Sequence, residues 1–179
     1  MRSKNYYYYY YYFSFAVMLS LACTSLVRAA TQTATFSVTS SVTSSCNAPS
    51  VGALAFGTYN PLSGSALKAT TTITITCTNT TPITSVTLSA GSGTGTINAR
   101  KMELNGTDAT KLISYNLYTT VGNSSIWGDG TSGNVVNNVT GSAGTGSAQT
   151  LIVYGTIPAS QTSVVPGSYS DTITVTINY

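Results

Sequence analysis

The sequence predicts an all-β sandwich, and three observations carry that expectation. No window sustains an apolar repeat at helical spacing. Six or seven short stretches rich in Thr, Val, Ile and Tyr alternate large apolar with polar side chains instead. Clusters of Gly, Ser, Thr, Asn and Pro separate them, which is the pattern of short strands and turns in two packed sheets.

The elements follow in order. Residues 1–29 read as an export signal: Arg2 and Lys4 precede an apolar run, reached through the tyrosine tract at 6–12, and Val27 and Ala29 take the small-residue positions before a cleavage site. Residues 30–43 form an amphipathic arm. Ala34, Phe36, Val38, Ser40 and Val42 fall on one face of an extended chain, and Thr33, Thr35, Ser37, Thr39, Ser41 and Thr43 on the other. Residues 46–59 read as an irregular first strand, interrupted by Pro49 and Gly52 as edge strands allow.

Residues 71–78 place Ile73, Ile75 and Cys77 together, and residues 83–90 place Val86, Leu88 and Ala90 together. Met102 and Leu104 alternate in a short strand before Asn105-Gly106, a hairpin signal. Residues 111–119 align Ile113, Tyr115 and Leu117. Residues 123–146 read as a long loop with at most a small hairpin at Val135 and Val136. Trp127 lies in this loop and Tyr118 near the end of the strand before it; such aromatics serve either contact with a sugar or surface or packing beneath the loop. Residues 149–157 are apolar on both faces, as expected of a central strand covered on both sides. The last stretch, 169–179, alternates Ile173, Val175, Ile177 and Tyr179 with Thr174, Thr176 and Asn178.

Composition narrows the function. Beyond the signal, Lys68, Arg100, Lys101 and Lys111 balance Glu103, Asp108, Asp129 and Asp171, so the formal net charge of +3 comes from the first 29 residues. A near-neutral chain without a basic cluster argues against nucleic acid. The sequence holds no histidine and no GxSxG elbow, so it offers no histidine base and no serine triad. The acids read as solvated surface groups, with Glu103 and Asp108 only a weak carboxylate pair. Asp129 in GDGTSGN reads as a structural turn rather than a calcium loop. No metal or other cofactor is expected. The two cysteines of the exported chain, Cys46 and Cys77, read as a disulfide.

The final strand raises a pairing question. A seven-strand sandwich pairs its last strand internally, and here the count is met only if the arm supplies one strand. The arm folds back on its own domain or is given to a neighbouring copy. Donation would bury Phe36, Val38 and Val42, each worth about 1.5–3 kcal/mol, and add a ladder of backbone hydrogen bonds. An unfilled groove would be an aggregation hazard unless another protein held it.

Taken together, FGTYNP (56–61), the cysteine pair, YNLYT (115–119), WGDG (127–130), VYGTIP (153–158) and GSYSDTITVTINY (167–179) resemble the Spore Coat Protein U family. Its members include subunits of archaic, Csu-type chaperone–usher pili. The resemblance implies an incomplete immunoglobulin-like β-sandwich completed by donor-strand complementation. It implies a periplasmic chaperone that lends a strand, an outer-membrane usher that catalyses exchange, and a homo- or hetero-polymer with pilin subunits at the cell surface. Carried onto this sequence, the donor strand is Ala34, Phe36, Val38, Ser40 and Val42. The acceptor groove includes Ile173, Val175 and Ile177, and Tyr179 is the residue the chaperone would anchor. Ser40 departs from the pattern, being small and polar where a bulkier apolar side chain fills its pocket better. The expected domains are the signal (1–29), the donor strand (30–43) and the pilin sandwich (44–179). The expected role is a shaft rather than tip subunit of a fibre serving adhesion and biofilm formation. The alternatives are a monomeric surface- or carbohydrate-binding sandwich and a spore or cyst coat protein.

Overall fold

The computed structural model describes residues 29–137 and 142–179. The expected export signal, apart from Ala29, lies outside the described residues. Two compact units make up the chain, Met1–Ser41 and Val42–Tyr179. Of the first, residues 29–41 are described; they carry no strand and are exposed throughout. An amphipathic strand without a ladder partner leaves its backbone groups to water, so alternation alone does not make it a strand.

The second unit is built from eight antiparallel strands: β1 Ser50–Val51, β2 Leu67–Thr76, β3 Ser85–Leu88, β4 Arg100–Leu104, β5 Asp108–Tyr118, β6 Ala148–Ile157, β7 Tyr169–Ser170 and β8 Val175–Asn178. Six form one sheet in the order β1-β2-β6-β5-β4-β7, and β3 and β8 form a second. The fold is all-β, a curled antiparallel sheet closed over by a small second sheet, as an incomplete immunoglobulin-like sandwich requires.

Alternation in the sequence becomes burial in the core. Ile73, Ile75 and Cys77 of β2 and its extension are buried, as are Val86 and Leu88 of β3 and Ile113, Tyr115 and Leu117 of β5. β4 and β5 meet at Asn105 (φ 53°) and Gly106 (φ 72°), the two positive φ values that the Asn-Gly signal anticipates. Cys46 and Cys77 are joined by a disulfide, with their Cα atoms 4.0 Å apart. Trp127 is fully buried and donates its Nε1 hydrogen to the Val86 carbonyl at 2.8 Å, so it packs beneath the loop.

Several expectations are corrected. The first strand is short: beyond β1, residues 52–59 form no regular strand. β6 is central in the hydrogen-bonding order but fully covered on one face only, since Ile152 on the other is 46% exposed. On that outer face the cover is partial: Tyr154 is half-buried, and Thr156 is buried where Asn123 donates to its hydroxyl. Two of the acids are not solvated surface groups. Glu103 is buried and accepts from the Thr94 amide at 3.0 Å, and Asp171 is half-buried with five hydrogen bonds. The last stretch is not one strand: residues 169–170 pair with β4, and residues 175–178 pair with β3.

Arg100 ties the layers together. It is fully buried, and its guanidinium donates to the carbonyls of Leu88, Ser89, Ile97 and Trp127 and to Asn116 Oδ1. Burial pulls its pKa below the usual guanidinium value, against the attraction of Tyr115, Asp171 and Asp129. Every donor is satisfied by a neutral acceptor, which is what makes an unpaired buried charge tolerable.

Candidate functional site

The curl of the larger sheet brings its two end strands, β1 and β7, to the borders of one cleft. The front wall is the segment 51–59, from which Leu54 and Phe56 point inward, half-buried. Gly155 of β6 lies directly behind them: a Cβ there would stand 2.8 Å from Phe56 Cζ and 2.9 Å from both Leu54 methyls. A glycine at this point lets the wall pack close. Tyr59 holds the far end, donating to the Pro158 carbonyl at 2.8 Å and accepting from the Gln161 amide at 3.0 Å.

The back wall is the last stretch of the chain. Tyr169, Ile173 and Val175 line it, with Val164 and Pro166 continuing it at one end. The floor is the core itself, including Ile73, Leu88, Tyr115, Leu117 and Val153. The cleft comprises two adjoining hollows, of about 620 Å³ and about 360 Å³, which share Leu54, Phe56, Met102 and Tyr169. Its walls are thus half-buried apolar side chains over a fully buried apolar base.

The backbone of the back wall is open on one side. β8 has a strand partner only in β3 among the described residues. Thr174 and Asn178 give their carbonyls to the amides of Ser89 and Thr84, at 3.0 and 2.8 Å. Antiparallel ladders alternate, so the backbone groups of Ile173, Val175 and Ile177 are aimed away from β3. The side chains follow the same rule: 173, 175 and 177 are half-buried and 172, 174, 176 and 178 exposed.

The structure brings two of the residues expected in the groove to the cleft and leaves two outside its lining. Ile173 and Val175 line the cleft. Ile177 packs against the core on the same face but outside the lining, and Tyr179 is 56% exposed. On the arm, Phe36, Val38 and Val42 are 87%, 83% and 89% exposed, and Ala34 and Ser40 are exposed too. Sequence reasoning placed Tyr115 on the buried face of its strand but missed the inward pair of the front wall and Met102. The signal for the first was present in the alternation of Leu54 and Phe56 with Ala53, Ala55 and Gly57.

Asp171 stands where the back wall changes sheets. Its Oδ1 accepts from the amides of Thr172 and Ser92, both at 2.7 Å, from Ser92 Oγ at 3.0 Å and from the Gly93 amide at 3.4 Å. Its Oδ2 accepts from Tyr115 Oη at 2.6 Å. Burial, and then this hydrogen bond, push the Tyr115 phenol pKa well up. Asp129 is spent on a local turn, accepting from the Thr131 amide and hydroxyl at 3.0 and 2.7 Å. Among the described residues no three His, Cys, Asp or Glu side chains gather as metal ligands do.

An all-β sandwich that leaves an apolar cleft between its end strands belongs to the class of incomplete immunoglobulin-like domains. The model of the Spore Coat Protein U domain matches residues 32–176, and the chain belongs to that family. The family consists in general of chaperone–usher pilus-type structural subunits, found in surface-exposed pili or coats. No curated protein matches the chain.

Proposed function

We propose that this chain is an exported fibre subunit that polymerises by donor-strand exchange, and that the cleft is its acceptor groove. The observation that carries the proposal is the pairing state of β8, which is partnered on one side and bordered on the other by an apolar cleft. A strand laid there would meet the outward backbone groups of Ile173, Val175 and Ile177 and bury the half-exposed walls.

The arm has the composition for that place. Ala34, Phe36, Val38, Ser40 and Val42 share one face, and residues 34–42 are as long as the back wall from 169 to 177. At about 3.3 Å per residue the two run to the same length. In the fibre the arm of one copy fills the cleft of the next. Before assembly a periplasmic chaperone lends a strand to the cleft and holds the exposed end at Tyr179, and an outer-membrane usher of the Csu-type system catalyses the exchange. The resulting surface fibre serves adhesion and biofilm formation. Residues 1–29 are the export signal, 30–43 the donor strand and 44–179 the pilin domain. The burial of Trp127 removes one aromatic from the sugar-binding alternative.

Co-expression with a matching chaperone and usher tests this. The intact chain should give a ladder of detergent-resistant multimers when unboiled, and a chain lacking residues 30–42 should give none. A stable intact monomer that needs no chaperone would refute it.

A further inference from the structure

The back wall of the cleft is a stretch that belongs to two sheets, and its change of sheet is fixed at one side chain. Tyr169 and Ser170 pair with β4 in the larger sheet, while Val175 to Asn178 pair with β3 in the smaller. Between them, the Asp171 carboxylate takes five hydrogen bonds from three places: its own neighbour Thr172, the loop residues Ser92 and Gly93, and Tyr115 on β5. No cation is among these contacts. The loop is shaped for the carboxylate. Gly91 has φ +106°, and a Cβ there would overlap the Asp171 carboxylate. Further links run alongside: the Thr172 amide donates to Ser92 Oγ at 3.3 Å and the Thr174 amide to Ser89 Oγ at 2.9 Å.

We infer that Asp171 is a positioning residue for strand acceptance: it sets where the back wall leaves the larger sheet, and so holds the cleft at the width of a strand. This rests on the donor-strand reading of the cleft. Asp171 and Tyr115 both line the hollow that Ile173 and Val175 border, so the anchor and the acceptor edge are one piece of chain. The donors on Oδ1 are amides and a hydroxyl, which an uncharged oxygen also satisfies. The position therefore requires an acceptor of this reach, while the carboxylate charge also attracts the buried Arg100 guanidinium.

The test is capture of a labelled peptide of residues 30–43, in excess, by the chain 30–179 presented in complex with its periplasmic chaperone. Emission of the buried Trp127, the single tryptophan, and the Cys46–Cys77 disulfide report the fold separately. Asp171→Ala should keep both fold signals and bind the peptide about tenfold more weakly, the order expected for losing a buried acceptor. Asp171→Asn, which keeps an oxygen for the amides, should restore binding to near the wild-type level. Wild-type capture by Asp171→Ala would overturn the inference alone. Loss of the Trp127 signal in step with capture would also overturn it, because the residue would then be a general structural one. Failure of the wild-type chain to capture the peptide would defeat the donor-strand reading, and this inference with it.

Discussion

Replacing Phe36 with alanine should weaken the joint between subunits more than any other single change on the arm. Phe36 is 87% exposed, so docking into the cleft moves nearly its whole side chain out of water. Full burial of a phenylalanine is worth about 1.5–3 kcal/mol. The cleft it would enter has a floor that is already close-packed core, so little can shift to refill the space, and truncations into rigid surroundings approach the upper end. A loss of about 2–3 kcal/mol makes the joint roughly 30- to 150-fold weaker. The assay is a competition between wild-type and Phe36→Ala peptides of residues 30–43 for the chaperone-held chain, with Thr39→Ala as control because Thr39 lies on the opposite face. In fibres, the same change should lower the temperature at which detergent-resistant multimers come apart. Equal competition by the two peptides would show that Phe36 does not enter the cleft and would break the assignment of the donor face.

Other outcomes follow from the same geometry. Ser40→Val should tighten peptide binding by roughly 1 kcal/mol, because an apolar side chain replaces a hydroxyl at an inward position; the same competition reads it. Opening the Cys46–Cys77 link, which spans 31 residues, by the double change to serine should cost about 3–4 kcal/mol of unfolding free energy in denaturant titration. Stability should also fall in alkali. The Tyr115 phenol has its pKa raised in the folded state, so its contribution is complete below the unfolded value near 10. Above that pH the unfolded chain sheds the proton while the folded one keeps it, and stability drops by up to about 1.4 kcal/mol per pH unit. Tyr115→Phe should remove one proton's share of that slope in a pH series of thermal melts.

The floor of the cleft was the most legible part of the sequence. In β2 and β5 a strict period of two put Ile73, Ile75, Ile113, Tyr115 and Leu117 on one face, and each is buried. The Asn105-Gly106 turn was equally plain, because few other dipeptides accept two positive φ values. The back wall was legible in its faces but not in its path. Residues 169–179 keep a period of two through the change of sheet, since alternation records which side is wet and not which strand is the neighbour. The change depends on Ser92, Gly93 and Tyr115, all distant in sequence from Asp171. Arg100 was unreadable for a related reason: four of its acceptors are main-chain carbonyls, which every sequence supplies. The front wall was half-read, as an edge interrupted by Pro49 and Gly52, while the inward pair Leu54 and Phe56 went unremarked.

The disulfide has a mechanical consequence. Cys46 stands three residues beyond Thr43, where the arm ends, and is bonded to Cys77 just past the end of β2. β2 is the strand with ten ladder positions against β6. Tension applied through the arm therefore passes across a covalent bridge into the longest ladder of the domain before it reaches the two-residue β1 or the unpaired wall behind it. A fibre of such units would take up the pull of each arm at a covalent bridge and the longest ladder of the domain, and hand it to the next copy through the walls of the cleft.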